Sequence, residues 1–216
     1  MKEIFQLTLS LTLICAIAGA ALSYVSQTTA DRREISRLRQ RSAKMALLLP
    51  TETFDTPSIH TSSLEDGSTV EFFAAKDTDG KTLAFCAQGS DASGFGGEVK
   101  LLVGLELDGT IRGILVSENS ETPGIGSRVV SRSVRRSLWD VLAGRKAETA
   151  ALPPNAYLDS YDGQQLSHQA FAFGEEAAPY VIQPVSGATI SSGAVLRAVN
   201  RIREAWTNLP SSVKEM

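Results

Sequence analysis

Residues 98–117 read EVKLLVGLELDGTIRGILVS, and this stretch decides the fold class. Two apolar runs, Glu98–Leu107 and Thr110–Ser117, lie on either side of Asp108-Gly109, a dipeptide typical of a tight turn between strands. Each run has the length of a strand, and a turn this short leaves the two strands antiparallel. The stretch therefore predicts a β-hairpin.

The same pattern occurs upstream, where Thr69–Ala75 and Lys81–Ala87 flank an Asp79-Gly80 turn. Between the two hairpins, residues 89–97 read GSDASGFGG. Because glycine adopts backbone conformations closed to other residues, this segment predicts a flexible loop where the backbone can approach a ligand closely.

Two segments further along have helical periodicity. The first, Ser131–Ala143, stops at Gly144, and the second is Ser191–Trp206. The segment between them, 145–178, is rich in loop-forming residues. Hairpins followed by helices predict an α+β domain rich in antiparallel hairpins, not a doubly wound sheet. The predicted inner faces are Val134, Leu138, Val141 and Leu142 in the first helix, and Val195, Ala198, Val199 and Ile202 in the second.

The N-terminal segment is purely apolar. Residues 4–25 read IFQLTLSLTLICAIAGAALSYV, 22 residues without a charge. As a helix this run is about 33 Å long, enough for a hydrocarbon core of about 30 Å. We therefore predict a transmembrane anchor over residues 1–30. A cleaved signal peptide is the alternative, but Lys2 gives a weak basic start and residues 21–23 (ALS) are a poor cleavage site.

Residues 31–50 predict an amphipathic juxtamembrane helix that Pro50 ends. Its arginines either contact lipid phosphates or form a solvated face. The remaining residues, 51–216, then form one domain. The apolar positions of the amphipathic helix are Ile35, Leu38, Met45 and Leu49, and the basic positions are Arg32, Arg33, Arg37, Arg39, Arg41 and Lys44.

Charge and composition exclude several classes of function. The net charge of −3 argues against nucleic acid as a partner. Residues 1–50 hold seven basic and three acidic side chains, or +4, so the remaining residues carry −7. Two cysteines are too few for an iron–sulfur cluster, and together with two histidines, His60 and His168, they are too scattered along the chain for a structural zinc site. A protein of this composition that handles electrons needs an organic cofactor.

The sequence Ser186-Gly187-Ala188-Thr189 directly precedes the second predicted helix. On structural grounds alone, Thr189 or Ser191 is a good N-cap. The same position suits a phosphate, because a helix N-terminus offers unpaired N–H groups and a partial positive charge. Gly187 and Ala188 keep side-chain bulk away from the threonine hydroxyl. The two interpretations are compatible.

Residues Glu121-Thr122-Pro123-Gly124 follow the second hairpin. Proline followed by glycine suits positions i+1 and i+2 of a type II turn. On composition alone the segment is a tight turn.

Three motifs together resemble a known family. GFGG at 94–97, the hairpin with ETPG after it, and SGATISSGAV at 186–195 have the order and spacing of the FMN-binding domain of the G subunit of the Rnf electron-transport complex. The C subunit of the sodium-translocating NADH:quinone reductase is a close relative of that protein. The resemblance covers residues 94–200, and the N-terminal anchor agrees with it. A length of 216 residues is closer to the Rnf protein than to the usually longer reductase component.

The resemblance implies an electron-carrying subunit of an ion-translocating oxidoreductase. It implies FMN joined through a phosphoester to Thr189 by a separate flavin transferase that uses FAD. It also implies that the turn at 121–124 borders the flavin, with Glu121 and Thr122 offering polar groups to it. The family often has an acidic residue three positions before the serine, where this chain has Gln183, so we expect either slower attachment or a variant transferase.

Partners and location follow from the same resemblance. It implies other membrane and peripheral subunits, and a single span in the inner membrane of a bacterium with the flavin domain on the outer, periplasmic face. The positive-inside rule predicts the opposite orientation, because six basic residues at positions 32–44 follow the span and only Lys2 precedes it.

Two other functions stay open at this point. A stand-alone, membrane-tethered flavoprotein would serve a different reductase or a sensor. A non-redox scaffold would use residues 186–189 only to begin a helix. A hydrolase is disfavoured, because the chain contains no G-x-S-x-G motif.

Overall fold

The structure is a computed structural model of the chain that describes residues 2–49, 53–54, 59–77, 79–121, 124, 126–132, 152–167, 169–176 and 178–214. The chain divides into two compact units, Met1–Ser42 and Ala43–Met216. The division falls inside the segment that we predict as a juxtamembrane helix.

The first unit is helical throughout its described part. Helix α1 runs from Lys2 to Leu48, and its residues up to Ser42 belong to this unit. The stretch Lys2–Ala30 has a mean hydropathy of 2.0 and no buried surface, so it is long and apolar enough to cross a membrane, as a signal sequence also is. Hydroxyls in this stretch donate hydrogen bonds to backbone carbonyls three or four residues earlier and so need no water; they include Thr8, Ser10 and Thr12.

The last turn of α1 belongs to the second unit. Met45, Leu48 and Leu49 are buried against one face of a β-sheet, whereas Ile35 and Leu38 are exposed. The predicted apolar face of residues 31–50 is therefore buried only at its C-terminal end. Helix α1 ends at Leu48, just before the proline that predicts its end, although Pro50 itself lies outside the described residues.

The core of the second unit is an antiparallel sheet of six strands. The strands lie in the order β1-β3-β4-β5-β6, with β2 also paired to β3. The two predicted hairpins form β3–β4 and β5–β6, with cross-strand partners such as Phe73 and Cys86. The fold class predicted from these hairpins is confirmed. The strands are β1 Thr53–Phe54, β2 His60–Ser63, β3 Thr69–Lys76, β4 Thr82–Gly94, β5 Gly97–Glu106 and β6 Ile111–Glu118.

The prediction of a flexible loop at 89–97 is wrong. Residues 89–94 continue β4 and pair with β5, and the turn is only Phe95-Gly96. Small residues are needed here because a helix packs closely on the strand: a Cβ at Gly89 would lie 2.8 Å from Cγ1 of Ile202. Gly89 therefore serves close packing, whereas Gly97 has a φ of +122° and nothing within 4 Å of its Cβ position, so it serves the backbone of the turn.

The free edge of β6 is covered by two cationic side chains. Lys44 Nζ donates a 2.5 Å hydrogen bond to the carbonyl of Ser117, and Arg132 Nε donates one of 2.7 Å to the carbonyl of Ile114. Edge carbonyls otherwise offer a template for pairing with another chain. These contacts join the end of α1 and the chain after residue 130 to the sheet.

Among the described residues, four further helices follow the sheet. The predicted helix Ser131–Ala143 does not begin where the sequence indicates: α2 ends at Val130, and Ser131 is extended. The Asn155 amide donates to the carbonyls of Ser131 and Val129, which ends the helix there; residues 133–151 lie outside the described part. The helices are α2 Ser127–Val130, α3 Ala156–Asp159, α4 Thr189–Thr207 and α5 Ser211–Lys214, and a short parallel pair joins β7 Ala172–Phe173 to β8 Val181–Ile182.

Helix α4 forms the main core with the sheet. It extends the predicted helix Ser191–Trp206 by two residues at its start and one at its end. Its predicted inner face, from Val195 to Ile202, is fully buried. Trp206 packs on Phe72 and Phe85 with ring centroids 6.1 and 5.6 Å away. Because α4 lies along β4 and β5, its first turn is held near the Phe95-Gly96 turn.

Candidate functional site

The site begins at the first turn of α4. Gly187 adopts a φ of +79°, which glycine accepts without strain, and the chain then enters the helix. Ala188 stands at the N-cap and its carbonyl accepts the first helical hydrogen bond, from the Ser192 N–H at 2.9 Å. Thr189 is thus the first helical residue, and the prediction that Thr189 or Ser191 caps the helix is wrong.

Four hydroxyls lie close together in this turn, and their surroundings differ. Ser191 and Ser192 are buried: the Ser191 hydroxyl donates to Glu121 Oε2 at 2.8 Å, and the Ser192 hydroxyl accepts from the Val185 N–H at 3.1 Å. Ser186 and Thr189 are exposed. Within the described part of the chain, no side-chain hydrogen bond engages Thr189. Thr189 is the hydroxyl that combines exposure with a place at the helix N-terminus.

A cleft of about 440 Å³ opens beside this hydroxyl. Phe95 and Ile190 are 63% and 55% exposed, which is unusual for large apolar side chains. Exposed apolar surface beside a reactive polar group is typical of a ligand site. The cleft is lined by Phe95, Gly187, Ala188, Thr189, Ile190 and Ser191.

The predicted turn at 121–124 meets the same helix turn. Glu121 is 8% exposed, and its Oε1 atom has no hydrogen-bond partner among the described residues. Gly124 has a φ of +91°, as position i+2 of a type II turn requires, and its N–H donates to the Ser127 hydroxyl at 2.8 Å. Thr122 and Pro123 lie outside the described residues, so their role stays a prediction.

Two glycines enclose the Glu121 carboxylate, and a third packs against the backbone at residues 120–121. A Cβ at Gly94 would lie 2.7 Å from Oε1, and one at Gly126 would overlap Oε2. A Cβ at Gly96 would overlap the Ser120 carbonyl. Only glycine leaves room for this carboxylate. The GFGG motif stands out in the sequence, but nothing local indicates that its glycines pack against a glutamate some 25 residues later.

Two buried tyrosines support the helix turn from the inside. Tyr157 donates a 2.7 Å hydrogen bond to the Ser192 carbonyl, and its ring packs edge-on against Tyr161 at 5.8 Å. Burial raises the pKa of Tyr157 to about 12, so the phenol stays a donor at physiological pH. The residue therefore fixes the first turn of α4 in place.

An ion cluster next to the site was not predicted from the sequence. The buried Asp91 accepts hydrogen bonds from Arg201 at 2.7 Å and from Ser93, and Arg197 lies 3.4 Å away. Burial alone raises the pKa of Asp91, but the Ser93 hydrogen bonds and the two guanidinium groups outweigh it and lower the pKa below 3.8. The arginines at 197 and 201 are one turn apart on α4, and this spacing is the feature of the sequence that could have indicated a shared acidic partner.

The residues fit a ligand with a phosphate and a large apolar ring system. A helix N-terminus with an exposed hydroxyl suits the phosphate, and the cleft with Phe95 and Ile190 suits the ring. The buried, unpaired oxygen of Glu121 supplies an acceptor nearby. The fold and the site together define an α+β domain of the nucleotide-cofactor-binding class.

The comparisons identify the family. The FMN-binding domain family matches residues 94–204, and the chain belongs to this family. The resemblance found in the sequence is therefore confirmed. A crystal structure of NqrC from Shewanella oneidensis matches with a TM-score of 0.42 and 21% identity, covering 66% of this chain and 64% of that chain.

Curated relatives match the chain over nearly its whole length. The G subunit of the Na⁺-translocating ferredoxin:NAD⁺ oxidoreductase complex of Acetobacterium woodii is 25% identical over 96% of this chain and 94% of its own. The corresponding protein of the proton-translocating ferredoxin:NAD⁺ oxidoreductase complex of Clostridium ljungdahlii is 25% identical, with coverage of 95% and 93%. The G subunit of the ion-translocating oxidoreductase complex of Salmonella typhi is also 25% identical, over 100% of this chain and 97% of its own length.

Proposed function

We propose that this chain is the electron-carrying G-type subunit of an Rnf-like, ion-translocating membrane oxidoreductase, with one FMN covalently bound to Thr189. The observation that carries the covalent site is the exposed Thr189 hydroxyl at the N-terminus of α4, beside an apolar cleft. The end-to-end match to the G subunits of such complexes supports the assembly. When bound, FMN accepts and donates one or two electrons and so links one-electron and two-electron partners.

Attachment is a phosphoryl transfer from FAD on a separate flavin transferase. The Thr189 oxygen attacks the phosphorus on the FMN side of the FAD pyrophosphate and loses its proton to a base of the transferase. The bond from that phosphorus to the bridging oxygen breaks, and AMP leaves with that oxygen. The product is a phosphodiester with one negative charge, which a helix N-terminus stabilises.

The neighbouring residues would hold the flavin. Phe95 and Ile190 offer apolar surface to the isoalloxazine ring, while Glu121 offers a hydrogen-bond acceptor. Thr122 keeps the polar role that the resemblance implies. Gln183 lies exposed after β8 with its amide donated to the Glu175 carbonyl, so it presents no charge where the family often has a carboxylate.

The membrane location rests on α1. Lys2–Ala30 would anchor the protein in the inner membrane, with basic side chains of residues 31–50 near lipid phosphates and the flavin domain on the outer face. The complex would supply the other membrane and peripheral subunits. Two relatives named for different ions, Na⁺ and H⁺, are each 25% identical to this chain, so similarity in this component does not select the coupling ion.

The test is replacement of the hydroxyl. Thr189→Val should abolish covalent flavin when the chain is produced with an active flavin transferase, because valine keeps the shape and lacks the oxygen. Since Thr189 does not cap the helix, the free energy of unfolding should change by less than about 0.5 kcal/mol. Intact-protein mass and flavin fluorescence after denaturation measure attachment.

Matched variants complete this test. Ser186→Ala removes the other exposed hydroxyl and should leave attachment unchanged, and Thr189→Ser should retain it at least in part. Flavin that survives denaturation in Thr189→Val would reject the site. Co-purification with integral membrane subunits separates the proposed complex from a stand-alone tethered flavoprotein.

A further inference from the structure

Arg197 reaches back along α4 toward Thr189. Thr189, Gly193 and Arg197 are spaced four residues apart, so they lie on neighbouring parts of one helix surface. Because residue 193 has no side chain, the guanidinium lies directly on the helix there: Nη1 is 3.0 Å from the point where a Cβ would stand. Arginine on this face is therefore folded toward the helix N-terminus.

The same guanidinium is held on the sheet side by a residue of β4. Its Nη2 and Nε atoms donate to the Ser93 hydroxyl at 2.5 and 3.1 Å. Ser93 is two residues before Phe95, which lines the cleft with Thr189. Nη1 makes no hydrogen bond with the described residues, and the side chain is 48% exposed. A cation with an unused donor thus lies at the level of Gly193, one helical turn after Thr189, next to the strand that leads to Phe95.

Negative charge at the N-terminus of α4 would be stabilised by such a cation. The Glu121 carboxylate is buried there, bonded to Ser191, and an ester at Thr189 adds a second negative charge. The helix dipole offers only about half a positive charge at this end. Like charges so close in a partly dry site repel each other unless a positive group lies near.

We propose that Arg197 is a positioning residue that binds the phosphate of the flavin linked to Thr189. This inference rests on the proposed attachment and adds a residue to it. From Thr189 to Gly193 the helix rises about 6 Å, and the ester phosphate extends two bonds beyond the threonine oxygen toward the guanidinium. Arginine suits this role because its planar fork donates two parallel hydrogen bonds to phosphate oxygens. The pair would fix the start of the ribityl chain and so direct the flavin into the cleft.

Arg201 provides a matched control from the same ion cluster. It also pairs with Asp91, through Nη1 at 2.7 Å, while the same Nη1 donates to the Ser90 carbonyl at 2.8 Å and Nε donates to Asp66 at 2.7 Å. It lies one turn further from Thr189. Arg201→Gln therefore removes an equal charge from the cluster without removing the group that faces the phosphate.

The test is the ³¹P resonance of the fully flavinylated protein. In the parent we expect a shift that differs from that of the urea-unfolded protein and moves as added salt screens the ion pair. In Arg197→Gln the resonance should move toward the unfolded position and lose its salt dependence, and Arg197→Lys should lie between. Arg201→Gln should match the parent. Circular dichroism checks that each variant is folded.

Two results would overturn the proposal. One is an unchanged, salt-dependent ³¹P resonance in folded Arg197→Gln; the other is the same change in Arg201→Gln as in Arg197→Gln. If Arg197→Gln does not fold, Arg197→Lys against the parent decides by the same measurement. A parent protein whose intact mass shows no flavin adduct would instead reject attachment itself, before any resonance is recorded.

Discussion

Glu121 links the predicted turn at 121–124 to the first turn of α4 through one hydrogen bond. Ser191 donates to Oε2 at 2.8 Å, while Oε1 is buried without a partner among the described residues. Ser191→Ala would remove the donor to Oε2, so that neither oxygen of this buried carboxylate has a hydrogen-bond partner among the described residues. We expect a loss of about 1–3 kcal/mol in the free energy of unfolding, the usual cost of an unsatisfied buried polar group.

Urea denaturation of the flavin-free protein measures this loss. Ser186→Ala is the control, because that serine is exposed and its removal should cost less than about 0.5 kcal/mol. Equal denaturation midpoints for the two variants would show that the Ser191–Glu121 bond contributes nothing to stability.

Phe95 has no structural reason to be exposed, which makes it a probe of flavin contact. If its ring covers the flavin, Phe95→Ala should admit water to the cleft. The reduced flavin is negatively charged at neutral pH and is disfavoured by apolar surroundings. The midpoint potential should therefore rise, by on the order of 20–40 mV, or about 1–2 kcal/mol for two electrons.

Redox titration of the flavinylated protein measures the midpoint potential, and iodide quenching of its fluorescence measures the access of solvent to the flavin. Phe173→Ala is the matched control, since Phe173 is also partly exposed, at 38%, but lies on β7 and does not line the cleft. A Phe95→Ala protein with the potential and quenching of the parent would place the ring away from the flavin.

An ion cluster joins β4 to α4, and its contribution to the free energy of unfolding depends on pH. The pKa of Asp91 is lowered in the folded protein, so its carboxylate contributes stability above about pH 3.8. That contribution is lost as the pH falls through the folded-state pKa. Asp91→Asn should therefore cost about 1–3 kcal/mol at pH 7, and the difference from the parent should shrink toward pH 3.

Denaturation at pH 7, 5 and 3 gives the profile. Asp79→Asn serves as the control, because Asn-Gly forms the same turn as Asp-Gly and Asp79 is exposed. A cost for Asp91→Asn that is equal at all three pH values would mean that packing, and not the charge, joins these elements.

Elements whose information is local were predictable from the sequence. Both hairpins and the inner face of α4 follow from turn residues and from periods of 2 and 3.6. The loop at 89–97 and the start of a helix at Ser131 were predicted wrongly for one reason: partners distant in the chain override the local pattern. Ile202 packs on Gly89, and Asn155 takes the carbonyls that a continuing helix would use.

The candidate site shows the same limit. The motif at 186–189 is local and could be found, whereas its surroundings come from three separate parts of the chain. Glu121 and Phe95 meet the first turn of α4 only because the sheet and the helix cross there. Cap identity was missed because Gly187 takes a positive φ and moves the helix start to Ala188.

A tethered flavin on an anchored protein is suited to exchange between fixed partners. The proposed covalent attachment would prevent loss of the cofactor on the outer side of a membrane. The linkage is remote from the redox ring, so the surrounding residues must set the potential. The anchor and the tether would thus both keep the carrier near its partners, which makes the orientation of the chain decisive.

The orientation can be argued from the charges near α1, and two arguments disagree. Only Lys2 precedes the apolar stretch, whereas six basic residues follow it at 32–44, which by the positive-inside rule would keep the flavin domain in the cytoplasm. That rule weakens when a long domain follows the span, and the first basic pair comes only after Ala30. The resemblance to the Rnf G subunit implies the outer face, and we therefore follow it and predict an N-terminus inside and a flavin domain outside. Alkaline phosphatase fused after Met216 should be active, and a reporter that works only in the cytoplasm should be silent. A silent phosphatase with an active cytoplasmic reporter would contradict both the orientation and the outer location of the flavin.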